Sequence, residues 1–279
     1  MSDQQAEMSF WDHLEALRWT ILRSVIALFV FTVVAFIYMR DLFDLVILAP
    51  IRADFILWRL LCKVTTAFPF IGNFCDDTFQ VKIINLKMAT QFFTHMSTSF
   101  YLALLLTFPY LVFEVWKFVR PALYENEKKD VRWVFSFGTV LFFIGCAVGY
   151  FLVFPMTLRF LVTWELSKQI QESLAIEYYM DNFLLLIFIM GVVFEMPIVS
   201  WLLSKFGLLK RSFFNKYRRH ATVFLLVAAA LITPSGDPFT LGCVFFPLYG
   251  LYELSALFVK KAPKEEEEES TDVVKYGTK

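Results

Sequence analysis

VWKFVRPALYENEKKDVR, residues 115–132, is the one short, densely charged break between two long apolar runs early in the chain. It sets Lys117, Arg120, Lys128, Lys129 and Arg132 beside Glu125 and Glu127. A basic segment between two apolar runs of bilayer length marks the cytoplasmic face of a membrane protein. Two aromatics, Trp116 and Phe118, and the rigid Pro121 stand in the same stretch. Carboxylates, aromatic rings and a stiff turn together suit a cationic peptide.

The runs on either side decide the class. Of the 279 residues, 58% are hydrophobic, above the 45–50% usual in soluble domains, and mean hydropathy is +0.59. Apolar stretches about as long as a bilayer is thick recur along the chain. They predict an all-α polytopic membrane protein of one membrane domain over residues 1–260. The expected spans are residues 19–39, 92–113, 134–154, 183–203, 221–232 and 239–259. Residues 40–91 form a long external loop, and the acidic tail, residues 261–279, reads as solvated and disordered. Net charge is zero, so nothing points to nucleic acid; the placement of charge is what informs. Basic clusters recur at every position that six spans with both termini inside would put in the cytoplasm. The first run is too long and too acidic in its approach for a cleavable signal peptide.

Outward from the basic break, several residues stand apart. Asp12 and Glu15 precede the first apolar run at a spacing that suits a helix start. Glu15 is therefore either a capping residue or a cytoplasmic carboxylate able to accept a bidentate guanidinium. Arg18 and Arg23 place this end inside. Glu127 either complements the dipole at the start of span three or joins Glu15 in an acidic pocket. Glu195 lies in span four, where a lipid-exposed carboxylate costs about 2.5–3.5 kcal/mol, so it faces a polar helix partner or a hydrated cavity, or is protonated. Pro109 and Pro197 interrupt apolar runs and free backbone carbonyls. Gly138, Gly145 and Gly149 allow a neighbouring helix to come close. Span five, at 12 residues, covers only roughly 18 Å of an apolar core about 30 Å thick. Cys146 and Cys243 read as packing residues, while spacing alone leaves open a disulfide between Cys62 and Cys75. No metal, cofactor or nucleophile–base constellation is visible, so an enzyme is not expected.

The ordered motifs resemble those of TatC, the multi-spanning receptor of the twin-arginine protein translocase. They are HLEALR at 13–18, Pro50 of LAPI, VWKFVRPALYENEKK at 115–129, FEMP at 194–197, LITPSGDPF at 231–239 and PLYGLYE at 247–253. The resemblance covers about residues 11–258, nearly the whole membrane region. The resemblance implies a concave, glove-like bundle of six helices whose last two are short. It implies that Glu15, Glu127 and Phe118, with Arg18, bind the Arg-Arg signal peptide. Glu195 takes the place of the buried acid of the fourth span. Pro50, Pro121, Pro197, Asp237 and Glu253 are carried over as structural motif positions. The implied partners are precursors bearing such peptides, TatA/TatB-type single-span subunits and further copies of the chain, in a bacterial-type inner membrane. Export of folded proteins would draw on the proton-motive force. The competing reading is a proton-coupled carrier of small solutes. A carrier expects paired intramembrane charges in related halves, and Glu195 has no evident basic partner in the sequence.

Overall fold

The structure, a computed structural model, describes residues 10–52, 54–67, 81–119, 125–163, 173–205, 207–233 and 237–259. At residues 10, 13, 64–67, 119 and 125–133 it describes the backbone alone. The chain divides into two compact units, residues 1–191 and 192–279.

In the first unit, α1 (Phe10–Leu42) has 33 residues and α3 (Thr90–Val119) has 30, or about 50 and 45 Å of helix. Both outrun the expected spans, 19–39 and 92–113, because the helical ladder continues into the charged flanks. The two pack along each other. His95 on α3 stacks on Phe36 of α1 at 4.1 Å, and its Nε2 lies 2.9 Å from the Phe36 carbonyl. Pro109 is accommodated inside α3 without ending it.

The chain leaves α1 through a π-helical turn (Phe43–Ile47) and a 3-10 turn (Ala49–Ile51). Buried Pro50 has no N–H to give the carbonyl of Val46, so that acceptor needs another donor. The Tyr150 hydroxyl supplies it at 2.7 Å, and the hydroxyl of buried Tyr179 donates to the next carbonyl, Ile47. Trp58 Nε1, on α2 (Ile56–Ala67), donates to the Pro50 carbonyl at 3.3 Å. The LAPI motif is thus a proline-broken helix end whose freed carbonyls are met by side chains distant in sequence.

A second proline works the same way. α4 (Glu125–Val148) passes through a π-helical turn (Gly149–Val153) into α5 (Phe154–Thr163). Pro155 cannot bond the carbonyl four residues back, and the turn before it widens. The helix therefore runs nine residues past the expected end of span three at 154. Phe154, Tyr179 and Phe183 close the core here, with Phe154 edge-on to the other two at 5.3 and 5.0 Å.

The external segments also meet in a short sheet that the sequence does not announce. There β1 (Ile83–Ile84) pairs in parallel with β2 (Leu174–Ala175), in register Ile83 with Leu174. Lys87 then reaches both oxygens of Glu177 at 3.1 Å. Cys62, on α2, is disulfide-bonded; Cys75 lies outside the described residues.

α6 (Ile176–Phe194) ends where the second unit begins, and α7 (Met196–Lys205) follows directly. α8 (Arg211–Ile232) and α9 (Pro238–Phe258) form a hairpin with α9 against both α7 and α8. At 22 and 21 residues they are shorter than α1 and α3. The buried residues of α9 include Thr240, Val244, Leu248, Leu251 and Ser255, one face at helical spacing. Among the described residues, five helical stretches are long and apolar enough to cross a membrane. α8, expected to supply span five, reaches ten residues further back than 221, into Arg211–His220, and is apolar only beyond that point.

Candidate functional site

α1 carries Glu15 as its sixth residue, exposed to the surroundings. A capping box places its acid at N3, so Glu15 is too far inside the helix to cap it. Arg18 is exposed one turn on. The basic segment follows α3. Trp116, only 8% exposed, packs on Phe135 of α4 with ring centres 5.5 Å apart, while Phe118 is half-buried. Trp116 is thus a packing residue that fixes where α3 meets α4, not a free interfacial ring. Glu127 falls in the first turn of α4, with its side chain outside the described residues, as is Pro121.

The structure adds an acid that sequence reasoning passed over. Glu114, on α3, is 3% exposed. Its Oε1 accepts from the Tyr110 hydroxyl at 3.0 Å. Arg23 Nη1 of α1 stands 3.6 Å from Oε2. Glu114 fell between the expected end of span two at 113 and the basic stretch from 115, and so was assigned to neither. The available signal was an acid four residues after Tyr110, in a helix whose apolar run continues on both sides.

Glu195 occupies the junction between α6 and α7. Its N–H bonds the Val192 carbonyl at 3.1 Å, and its own carbonyl accepts from Ile198 and Val199 at 3.0 Å. Buried Pro197 supplies no N–H for the Val193 carbonyl, and that loss breaks the helix beside the acid. The side chain is half-buried and its Oε1 has no hydrogen-bond partner. An unpaired carboxylate at a broken helix within an apolar stretch is costly and is characteristic of working sites.

Asp237 and Glu253 have structural roles in the α8–α9 hairpin. Asp237 caps α9, its carboxylate accepting from Thr240 N–H at 2.7 Å with Pro238 as the first helical residue. Glu253 Oε1 receives Arg218 Nε at 2.6 Å, and the Tyr252 hydroxyl bonds the Phe214 carbonyl at 2.8 Å. Arg218→Ala is expected to lower the thermal midpoint of the purified protein, because it leaves Glu253 without its cation on an apolar helix. The exchanged pair Arg218→Glu/Glu253→Arg should recover most of the loss. A swapped protein no more stable than the single variant would mean that the pair does not hold the hairpin.

Comparison with known proteins bears on the whole of this arrangement. The family profile for Sec-independent protein translocase protein (TatC) matches residues 12–247. The chain belongs to the TatC family. A TatC from Blattabacterium of Periplaneta americana is 34% identical over 256 residues, spanning 91% of this chain and 96% of its own. One from Campylobacter jejuni is 34% identical over 202 residues, 71% of this chain and 81% of its own. The crystal structure titled Twin Arginine Translocase Receptor TatC in DDM superposes with a TM-score of 0.70 at 26% identity, over 89% of this chain and 99% of that one. This TatC-family chain is a polytopic helical membrane protein and a component of a protein translocase, a transport protein rather than a classical enzyme.

Proposed function

We propose that this chain is the receptor subunit of a twin-arginine translocase. It binds Arg-Arg signal peptides of folded precursors through Glu15 and Glu127, with Phe118 and Arg18 beside them. The observation that carries the reading is Glu15 itself: exposed, a turn and a half inside α1 and so not a cap. An ionised carboxylate accepts the planar fork of a guanidinium in two parallel bonds, which an ammonium cannot reproduce. Glu127, in the acid-containing basic segment, supplies the second acceptor. The basic flanks put these groups at the cytoplasmic face, with both termini inside a bacterial-type inner membrane. The apolar part of the signal peptide then enters the membrane and Glu195 acts at depth. TatA/TatB-type single-span subunits gather along α8 and α9, where the apolar part of α8 is short and the bilayer thins to meet it. Several copies assemble into one receptor complex, and the proton-motive force drives passage.

Photocrosslinking in native-like membranes tests this reading. A probe at Phe118 is expected to label an Arg-Arg precursor at least about tenfold more strongly than its Lys-Lys variant, the size of effect that loss of a bidentate pair produces. Equal labelling of the two would leave residues 115–132 as a segment that only sets topology.

A further inference from the structure

Glu114 is nearly wholly buried, yet one of its oxygens accepts no hydrogen bond. Oε1 is met by Tyr110; Oε2 has no partner at bonding distance. Arg23 Nη1, at 3.6 Å, attracts the charge without making a hydrogen bond. A buried acceptor left open costs more than an open neutral group when it carries charge. A guanidinium seated on both oxygens at about 2.7–2.9 Å would meet the need. The resident one does not, and its own side chain is 42% exposed against 4% for Glu114. A buried carboxylate thus stands beside a half-exposed arginine that faces it without bonding it.

The pair lies further along α1 from Glu15. On α1, Glu15, Trp19 and Arg23 recur at every fourth residue and share one broad face. Glu15 and Trp19 are exposed. Arg23 lies eight residues beyond Glu15, about 12 Å along the axis. On α3, Glu114 is five residues from the helix end at Val119, next to the segment proposed to receive the peptide.

We propose that Glu114 is a further guanidinium acceptor of the signal-peptide site, and that Arg23 occupies it as a resident surrogate until an arginine of the incoming peptide displaces it. This rests on the receptor reading above and extends it. With no peptide present, Arg23 keeps a buried carboxylate from standing alone. With a peptide present, the open Oε2 rewards an arginine over a lysine, because only the planar fork offers each oxygen its own nitrogen in two parallel bonds. Arg23 is a competitor in this scheme, so its removal strengthens binding. A structural clamp between α1 and α3 predicts the reverse.

The experiment uses the full chain in lipid nanodiscs and synthetic Arg-Arg and Lys-Lys signal peptides. Arg23→Ala is expected to bind the Arg-Arg peptide at least about threefold tighter than the wild type, the scale of one exposed ion pair lost as competitor. Its thermal midpoint, lowered without peptide, should rise further on adding Arg-Arg than the wild type's does. Glu114→Gln should lose about tenfold in Arg-Arg affinity with little change towards Lys-Lys. If Arg23→Ala does not insert, Arg23→Gln, which keeps length and polarity, carries the same expectation. Equal or weaker Arg-Arg binding by the Arg23 variant would overturn the proposal and leave the pair as a clamp. If the wild type itself fails to tell the two peptides apart, the receptor reading falls first and this proposal with it.

Discussion

Gly149→Ala lowers the thermal midpoint of the purified protein by several degrees, whereas Gly250→Ala does not. The expectation follows from what an added methyl would meet. At Gly149 a Cβ would stand 3.0 Å from the Ile187 Cα and 3.2 Å from the Met190 Cβ. Both neighbours belong to α6, and both are buried. The nearest atom is backbone, so no side chain can turn aside to make room. Gly191 returns the contact, since a Cβ there would lie 2.6 Å from Cys146 Sγ and 2.7 Å from the Phe142 ring. Helices pressed this closely depend heavily on packing, because lipid removes the hydrophobic drive between them. Overfilling such a contact costs about 1–3 kcal/mol, or very roughly 3–10 °C for a chain of this size. Gly250 has nothing within 4 Å of its would-be Cβ, so there alanine can only improve the helix. Scans at one fixed rate in one detergent compare the two. Equal midpoints for Gly149→Ala and Gly250→Ala would mean that α6 does not depend on this approach.

Gly149 also illustrates how far the sequence could be read. An apolar run of bilayer length has few alternatives, so α1, α3, α4, α6 with α7, and α9 were all legible, while α5 lay in what reads as an external loop. Their ends were not. A count of apolar residues stops at the first charges, but a helix goes on past them because its hydrogen bonds do not depend on lipid. α8 therefore begins at Arg211 rather than 221, and α4 at Glu125 rather than 134. The π-helical turns follow from Pro50 and Pro155, which were visible, but their stability comes from Tyr150 and Tyr179, about a hundred residues or more from Val46 and Ile47. The strand pair joins Ile83 to Leu174, a pairing with no local signature. Among candidate site residues, Glu195 stands out in the sequence as an acid inside an apolar run, and Glu15 as an acid on the approach to one. Glu114 does not, because its meaning lies in Arg23, a residue of a different helix.

Glu195→Ala is expected to insert normally, melt no lower than the wild type, and lose most transport of a folded Arg-Arg cargo. The two halves of this expectation have one cause. Glu195 Oε1 is buried without a hydrogen-bond partner. Such a group costs about 1–3 kcal/mol, and more when charged, so its removal relieves the fold. The helix break does not depend on the carboxylate; it comes from Pro197 and from backbone bonds of Glu195 that alanine also makes. A residue kept at a cost to stability is spent on something other than stability. In the receptor reading that use is a polar contact at depth, for the inserted signal segment or a partner helix. Glu195→Gln separates two forms of that contact. Glutamine keeps the hydrogen-bonding capacity and abolishes the charge, so retained transport would make Glu195 a hydrogen-bonding group, and lost transport would make its ionisable oxygen the working part. Cargo export and the thermal midpoint are measured on the same preparations. Normal export by Glu195→Ala would remove this acid from the mechanism. Lost export with a midpoint several degrees lower would instead make it a structural residue, held by a partner that its unpaired oxygen gives no sign of.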